Sequence, residues 1–226
     1  MTGKRWYDDA CGLAQALNVV GERWALLIVR ELVLGAKRFA DLRADLPGIS
    51  SNVLSQRLGE LEERGVVRRR RIPPPAASTV YELTEWGAEL EPVICVLGHW
   101  GARSPVYDGA VLSCTSAVMS QRTMFRADAA PGLSVAIGLR MPERDHVRPF
   151  RAQVEDGTFT IDPVEELGPD VDAVVTATPA VLADILYEGR EVSEAIEVGD
   201  LTVEGDRSAF ERYVGCFWLP QRAEAG

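Results

Sequence analysis

The 226-residue chain has only two histidines, His99 and His146, and four cysteines, Cys11, Cys95, Cys114 and Cys216. The cysteines are scattered without paired spacing, which argues against a disulfide framework and against a zinc site. No metal and no cofactor is expected. No apolar run is long enough to span a bilayer, and the first residues lack the apolar core of a secretion signal, so membrane insertion is not expected and a cytoplasmic location is. There is no internal repeat, and no low-complexity tract beyond one arginine run and three consecutive prolines. The chain also lacks a nucleophile elbow, a Walker loop, a dinucleotide fingerprint and any paired carboxylate motif, and these absences weigh against an enzyme.

What is present is a division of charge. The formal net charge is −10, yet residues 1–108 hold 14 of the 24 Lys/Arg and 14 of the 34 Asp/Glu, so the excess acid lies wholly in residues 109–226. The overall pI near 4.8 therefore hides a locally basic segment. Arg64, Arg68, Arg69, Arg70 and Arg71 fall within eight residues that contain no acid. Contacts to phosphates depend on such local density rather than on total charge. With 46% hydrophobic residues, the length suits two domains of modest size.

The segment before the arginine run has helical periodicity. Leu54, Leu58 and Leu61 form one apolar stripe, while Ser51, Asn52, Ser55, Gln56 and Gly59 fall away from it. A short, neutral, hydrogen-bonding face suits a major groove, where Asn and Gln pair with adenine edges and Arg with guanine. Helices are predicted over residues 11–20 and 23–34, then over 37–46 with Phe39, Leu42 and Leu46 inward. Pro47-Gly48 ends the last of these, and Ser50 or Ser51 caps the next. Two helices joined by this turn make a helix-turn-helix. Strands over 66–72 and 79–83 flank a proline-rich loop, 73–78, that projects as a wing. Thr84 caps one long helix, from Glu85 to about Arg103. Its apolar residues Leu90, Val93, Ile94, Leu97 and Trp100 exceed what one small domain needs and point to a second subunit.

A hinge is expected over 104–109. Beyond it come a helix over 111–125, strands over 133–141, 148–154, 158–161, 172–178 and 201–204, and helices over 180–187, 192–198 and 208–217. The turn Glu155-Asp156-Gly157 signals a hairpin. The expected class is α+β, with domains over 1–105 and 111–220.

Through Cys11, Gly21-Glu-Arg-Trp24, Ile28-Val-Arg-Glu-Leu32, Arg38-Phe39, Leu46-Pro-Gly-Ile-Ser50, Leu54-Ser-Gln-Arg-Leu58 and Tyr81-Glu-Leu-Thr-Glu-Trp-Gly87, the first half resembles the HxlR family of winged helix-turn-helix regulators. The resemblance implies a homodimer that binds double-stranded operator DNA, with the helix after Pro-Gly-Ile-Ser in the major groove and the wing on flanking phosphates. The DNA-contact set expected here is Lys37, Arg38, Ser50, Ser51, Asn52, Ser55, Gln56, Arg57, Arg64, Arg68, Arg69, Arg70 and Arg71. In some members of that family an N-terminal cysteine senses oxidants or electrophiles, which marks Cys11. Read by itself, Cys11 is a small buried hydrophobe.

Through Asp172-Ala-Val-Val-Thr-Ala-Thr-Pro179 and Gly199-Asp-Leu-Thr-Val-Glu-Gly-Asp-Arg207, the second half is similar to the lipid-binding domain of the sterol carrier protein type 2 family. That similarity implies a pocket for a hydrophobic small-molecule effector. Leu182, Ile185, Leu186, Phe210, Val214 and Phe217 are its candidate lining, against the plainer reading that an apolar stripe is core. The expected function is a DNA-binding transcriptional regulator that senses such an effector. The alternative is a lipid or acyl-chain binding protein whose winged helix serves only to dimerise.

Overall fold

The computed structural model describes residues 6–73, 77–106, 112–143 and 146–224. The tip of the expected wing at 74–76, much of the expected hinge, and the start of the helix predicted from Val111 lie outside these residues. The chain forms two compact units, Met1–Ile94 and Cys95–Gly226.

The first unit comprises α1 (Gly12–Val20), α2 (Ala25–Leu32), β1 (Lys37–Arg38), α3 (Phe39–Asp45), α4 (Ser51–Glu63), β2 (Val67–Ile72), β3 (Ser78–Leu83) and the short α5 (Glu85–Ala88), and α6 (Leu90–Ala102) begins in it. The three strands pair antiparallel in the order β1-β3-β2. Ile28, Val29, Leu32, Leu42, Leu46, Leu54, Leu58, Leu61, Val66 and Val67 form its core. Trp24 departs from the predicted helix. It precedes α2 in a left-handed conformation, φ 79°, with its indole packed against the core. A bulky residue adopts that conformation only when its surroundings hold it. Lys37 and Arg38 also leave the predicted helix, because they pair with Tyr81 and Val80 as strand.

Local chemistry sets both ends of α4. Gly48, at φ +90°, turns the chain after Pro47, and the Ser50 hydroxyl accepts from the Val53 N–H at 3.3 Å. At the other end Gly65 is left-handed, its N–H bonds Glu62 O, and the Val66 N–H bonds Leu61 O. This is a Schellman stop, and it delivers the chain directly into β2. The Thr84 hydroxyl donates to Gly65 O at 2.6 Å and accepts from the Gly87 N–H at 3.0 Å, which ties the start of α5 to that stop. A Cβ on Gly87 would sit 2.0 Å from Val66 O, so only glycine fits.

The single long helix predicted from Glu85 is two helices, parted at Glu89. Pro92 accounts for the break, since it lacks the N–H that would bond Ala88 O and its ring opposes that carbonyl. Leu90 and Ile94 pack on the first unit's core. Val93, Val96, Leu97 and Trp100 share an exposed stripe at helical spacing.

The second unit contains α7 (Cys114–Met124), a 3-10 turn (Ala127–Ala129), β4 (Ser134–Glu143), β5 (His146–Glu155), β6 (Thr158–Pro163), β7 (Ala173–Ala177), α8 (Pro179–Tyr187), α9 (Val192–Glu197), β8 (Leu201–Gly205) and α10 (Arg207–Val214). Its strands run β6-β5-β4-β7-β8, antiparallel except for β4 with β7. Asp156 and Gly157, both at positive φ, make the tight turn between β5 and β6 that this dipeptide signals. Val135, Ile137, Leu139, Phe150, Ala152, Val154, Ile161 and Val175 are buried, and α7 and α10 pack against the strands. On the other face, Leu167 lies where a Cβ on Gly138 would fall, 2.9 Å away. The mixed α+β class is the observed one, with a winged helix-turn-helix first unit.

Candidate nucleic-acid interface

The stripe of Leu54, Leu58 and Leu61 holds α4 against the core, so the polar positions between these leucines must face away. Asn52, Ser55 and Gln56 are exposed and Ser51 is half-buried. Gln56 donates to Glu60 at 3.1 Å across one helical turn. Ser50, exposed, serves as the helix cap. Arg57 belongs to the side of the helix. It is 13% exposed and pairs with Glu60 and, at 3.5 Å, with Glu22. The face open to a groove is therefore Ser51, Asn52, Ser55 and Gln56, without Arg57.

Two further arginine and lysine expectations change. Lys37 is not a surface residue. Its ammonium, 7% exposed, lies 2.8 Å from Glu31 and 2.7 Å from Asp45, and Glu31 is fully buried and also meets Arg30 at 2.7 Å. Pairing of β1 with β3 turns Lys37 inward, where its charge joins α2, β1 and α3. Arg64 turns inward as well. It donates to Val19 O at 2.7 Å and lies over the Trp6 ring at 5.8 Å. Both leave the DNA-contact set. Arg38 remains exposed, and its backbone N–H donates to Asp41 at the start of α3.

The arginine run alternates along β2. Arg68 and Arg70 share one face and both reach Glu82 on β3, each through Nε at 2.8 Å. Arg69, on the opposite face, pairs with Glu62 at 3.1 Å and stacks over Tyr81 at 5.4 Å. Arg71 is exposed and, among the described residues, makes no ion pair. The Glu82 carboxyl is held below the usual carboxylate range, first by its hydrogen bond from Arg70 and then by that from Arg68. It therefore stays ionised wherever the protein is near neutral pH.

Cys11 is exposed, directly ahead of α1, and its N–H bonds Asp9 at 2.8 Å. The plainer reading of Cys11 as a buried hydrophobe is thereby set aside.

The residues expected to line an effector pocket fall into two groups. Leu182, Ile185 and Leu186 are buried on α8, which packs against α7, and Tyr187 and Ser120 hydrogen-bond between these helices at 3.0 Å. Phe210 lies in α10, whereas Phe217 lies beyond it, because α10 ends at Gly215 and Phe217 bridges to Phe125. Tyr213 stands between them, with ring centroids 6.2 Å from Phe210 and 4.9 Å from Phe217, and Phe159 lies 5.2 Å from Phe217. Rings at these separations fill the space between one another. Val214 is only half-buried. The Tyr213 hydroxyl donates to Gln121, itself fully buried, and burial holds its proton well above the ordinary phenol range.

Several of these residues escape sequence reasoning. Glu31 and Glu82 look like ordinary surface acids until strand pairing places them. The Gln121–Tyr213 pair spans 92 residues and leaves no local signal.

Comparison with known proteins agrees with this geometry. Residues 19–106 match the HxlR-like helix-turn-helix family, and residues 125–223 match the alkyl sulfatase C-terminal domain rather than a sterol carrier domain. The HTH-type transcriptional regulator YvaP of Bacillus subtilis (strain 168) is 41% identical over 86 residues, which are 38% of this chain and 80% of that protein. YodB of the same organism, also an HTH-type transcriptional regulator, is 35% identical over 88 residues, 39% of this chain and 79% of the relative. Among solved structures, the redox regulator HypR in its oxidised form is 31% identical and covers 45% of this chain and 100% of that one, with a TM-score of 0.39. The relatives are named as regulators of transcription and not as enzymes. Through its first half, the chain belongs to the HxlR-like helix-turn-helix family of transcriptional regulators.

Proposed function

We propose that this protein is a homodimeric, cytoplasmic regulator that binds operator DNA through the Ser51–Gln56 face of α4 and the arginines of β2, and that its second unit receives a hydrophobic small-molecule effector. The observation that carries the DNA reading is the exposed neutral face of α4 leading, through one Schellman turn, into a strand of four arginines. Phosphate contacts from Arg68 to Arg71 supply salt-dependent affinity, and Asn52 and Gln56 supply base readout. The apolar stripe of α6 supports dimerisation. Val96 and Trp100 are each 72% exposed, and an apolar stripe of this kind is the usual mark of a covered face.

The effector reading rests on the sheet of the second unit, with helices packed on its apolar face. An effector regulates only if its affinity differs between DNA-bound and free protein, so effector and operator must change each other's affinity by the same factor. Cys11 offers a separate input, since an exposed thiol is within reach of oxidants and electrophiles. Native mass spectrometry of the purified chain tests both parts. A dimer that releases a hydrophobic compound on denaturation, a compound that then shifts operator affinity, supports the sensor. A monomer, or a released compound without effect on operator affinity, removes the corresponding part.

A further inference from the structure

Three of the four arginines of β2, Arg68, Arg69 and Arg70, are already paired with carboxylates. Arg68 and Glu82 are direct cross-strand partners, and Arg70 lies two residues along on the same face. One carboxylate therefore bridges two guanidinium groups, Oε1 to Arg68 and Oε2 to Arg70, at 2.8 Å each. Both contacts use Nε, the inner nitrogen of the guanidinium. The outer nitrogens, Nη1 and Nη2, are not spent on Glu82, and the arginine side chains stay 66% and 51% exposed against 16% for Glu82. A buried-side acid thus holds two arginines by their inner edges and presents their outer edges.

We infer that Glu82 determines specificity in the DNA-bound wing, by cancelling one of the two charges on Arg68 and Arg70 while fixing where their outer edges stand. The inference rests on the operator-binding reading above. On a duplex of arbitrary sequence, affinity comes almost wholly from attraction to phosphates, so a carboxylate within the wing weakens binding there. At an operator, α4 already docks in the groove and sets the phosphates relative to the wing. Two arginines held in place then meet them without losing rotamer freedom, and this offsets part of the lost attraction. The net result is a larger ratio of operator to arbitrary-sequence affinity. The lowered proton affinity of Glu82 agrees, since the acid is charged whenever the protein meets DNA. A purely structural role for the bridge is weaker, because exposed ion pairs add little to folding.

The test compares full-length wild type with Glu82→Gln and Glu82→Asp by fluorescence anisotropy, across a series of KCl concentrations. One duplex carries the selected operator and the other a scrambled sequence of equal length. Glu82→Gln should bind the scrambled duplex roughly three-fold more tightly, the factor for removing one unit charge about 6 Å from a phosphate in water. Its operator affinity should rise less or fall, so the ratio shrinks, and Glu82→Asp should return scrambled-duplex affinity toward wild type. Unchanged thermal stability of Glu82→Gln, with a changed ratio, separates this from a folding role. An equal shift on both duplexes, or none, overturns the inference while leaving DNA binding standing. Wild type that binds neither duplex in a salt-dependent way overturns the DNA-binding reading itself, and the inference with it.

Discussion

Replacing Lys37 with methionine separates two roles that its sequence context does not distinguish. At the surface, Lys37 would touch a phosphate, and its loss would weaken DNA binding uniformly and reduce the salt slope by about 1. The structure instead places its ammonium between Glu31 and Asp45, inside the first unit. Removing one partner of a buried ion pair costs about 3–5 kcal/mol, because a carboxylate stays buried without it. Glu31 keeps Arg30 at 2.7 Å, which moves the expectation to the lower end, roughly 3 kcal/mol. In a unit of this size each kcal/mol lowers Tm by about 4–8 °C, so the expected fall is roughly 12–24 °C. Hydrogen exchange read by mass spectrometry, peptide by peptide, reports the two units separately. Amides of α2, α3 and α4 should exchange faster in Lys37→Met, with those of β4 and β5 unchanged. Adding Glu31→Gln and Asp45→Asn should recover part of the loss, since neutral groups cost less to bury. A Lys37→Met protein with wild-type protection but weaker, less salt-sensitive DNA binding would refute this placement.

Three further outcomes follow from the same geometry. If the proposed dimer forms through the exposed stripe of α6, wild type should sediment as a dimer and Val96→Glu as a monomer with the fold kept, whereas a dimer undisturbed by Val96→Glu would move the interface elsewhere. Iodoacetamide labelling should modify Cys11 first and the buried Cys114 and Cys216 last, the latter slowed further because burial raises its proton affinity; labelling of Cys216 before Cys11 would contradict the burial described. Tyr213 should stay protonated when exposed phenols ionise. Its raised pKa means that its contribution to stability is complete below the unfolded value of 10.0 and is lost as pH climbs above it, so its absorbance change should coincide with alkaline unfolding and not precede it.

The parts of this fold that were legible in the sequence are those with local signals. The leucine spacing of α4, the Pro47-Gly48 turn and the Asp156-Gly157 hairpin each act within a few residues, and the structure has them. Lys37 was not legible, because whether it faces water or the core depends on pairing with Tyr81, more than forty positions away. The inward turn of Arg64 has no local signal either, since its partner is the Val19 carbonyl, 45 residues distant. The break between α5 and α6 has a local cause in Pro92, masked by the apolar period that continues through it. Apolar spacing extends the last helix to Phe217, whereas Gly215 precedes that residue and ends α10. For the candidate interface, the polar face of α4 was readable from periodicity, whereas the Glu82 bridge required the β2–β3 register.

The most direct measurement of the central claim is selection of duplexes from a random-sequence pool by the purified full-length protein, followed by binding of the enriched sequence to wild type and to an Asn52→Ala, Gln56→Ala variant across salt concentrations. The enriched sequence should be pseudo-palindromic, with half-sites about one helical turn apart, and wild type should bind it with strong salt dependence. The variant should lose discrimination against scrambled DNA while keeping the salt slope. A pool that enriches no sequence, or a variant that discriminates as well as wild type, would contradict that claim.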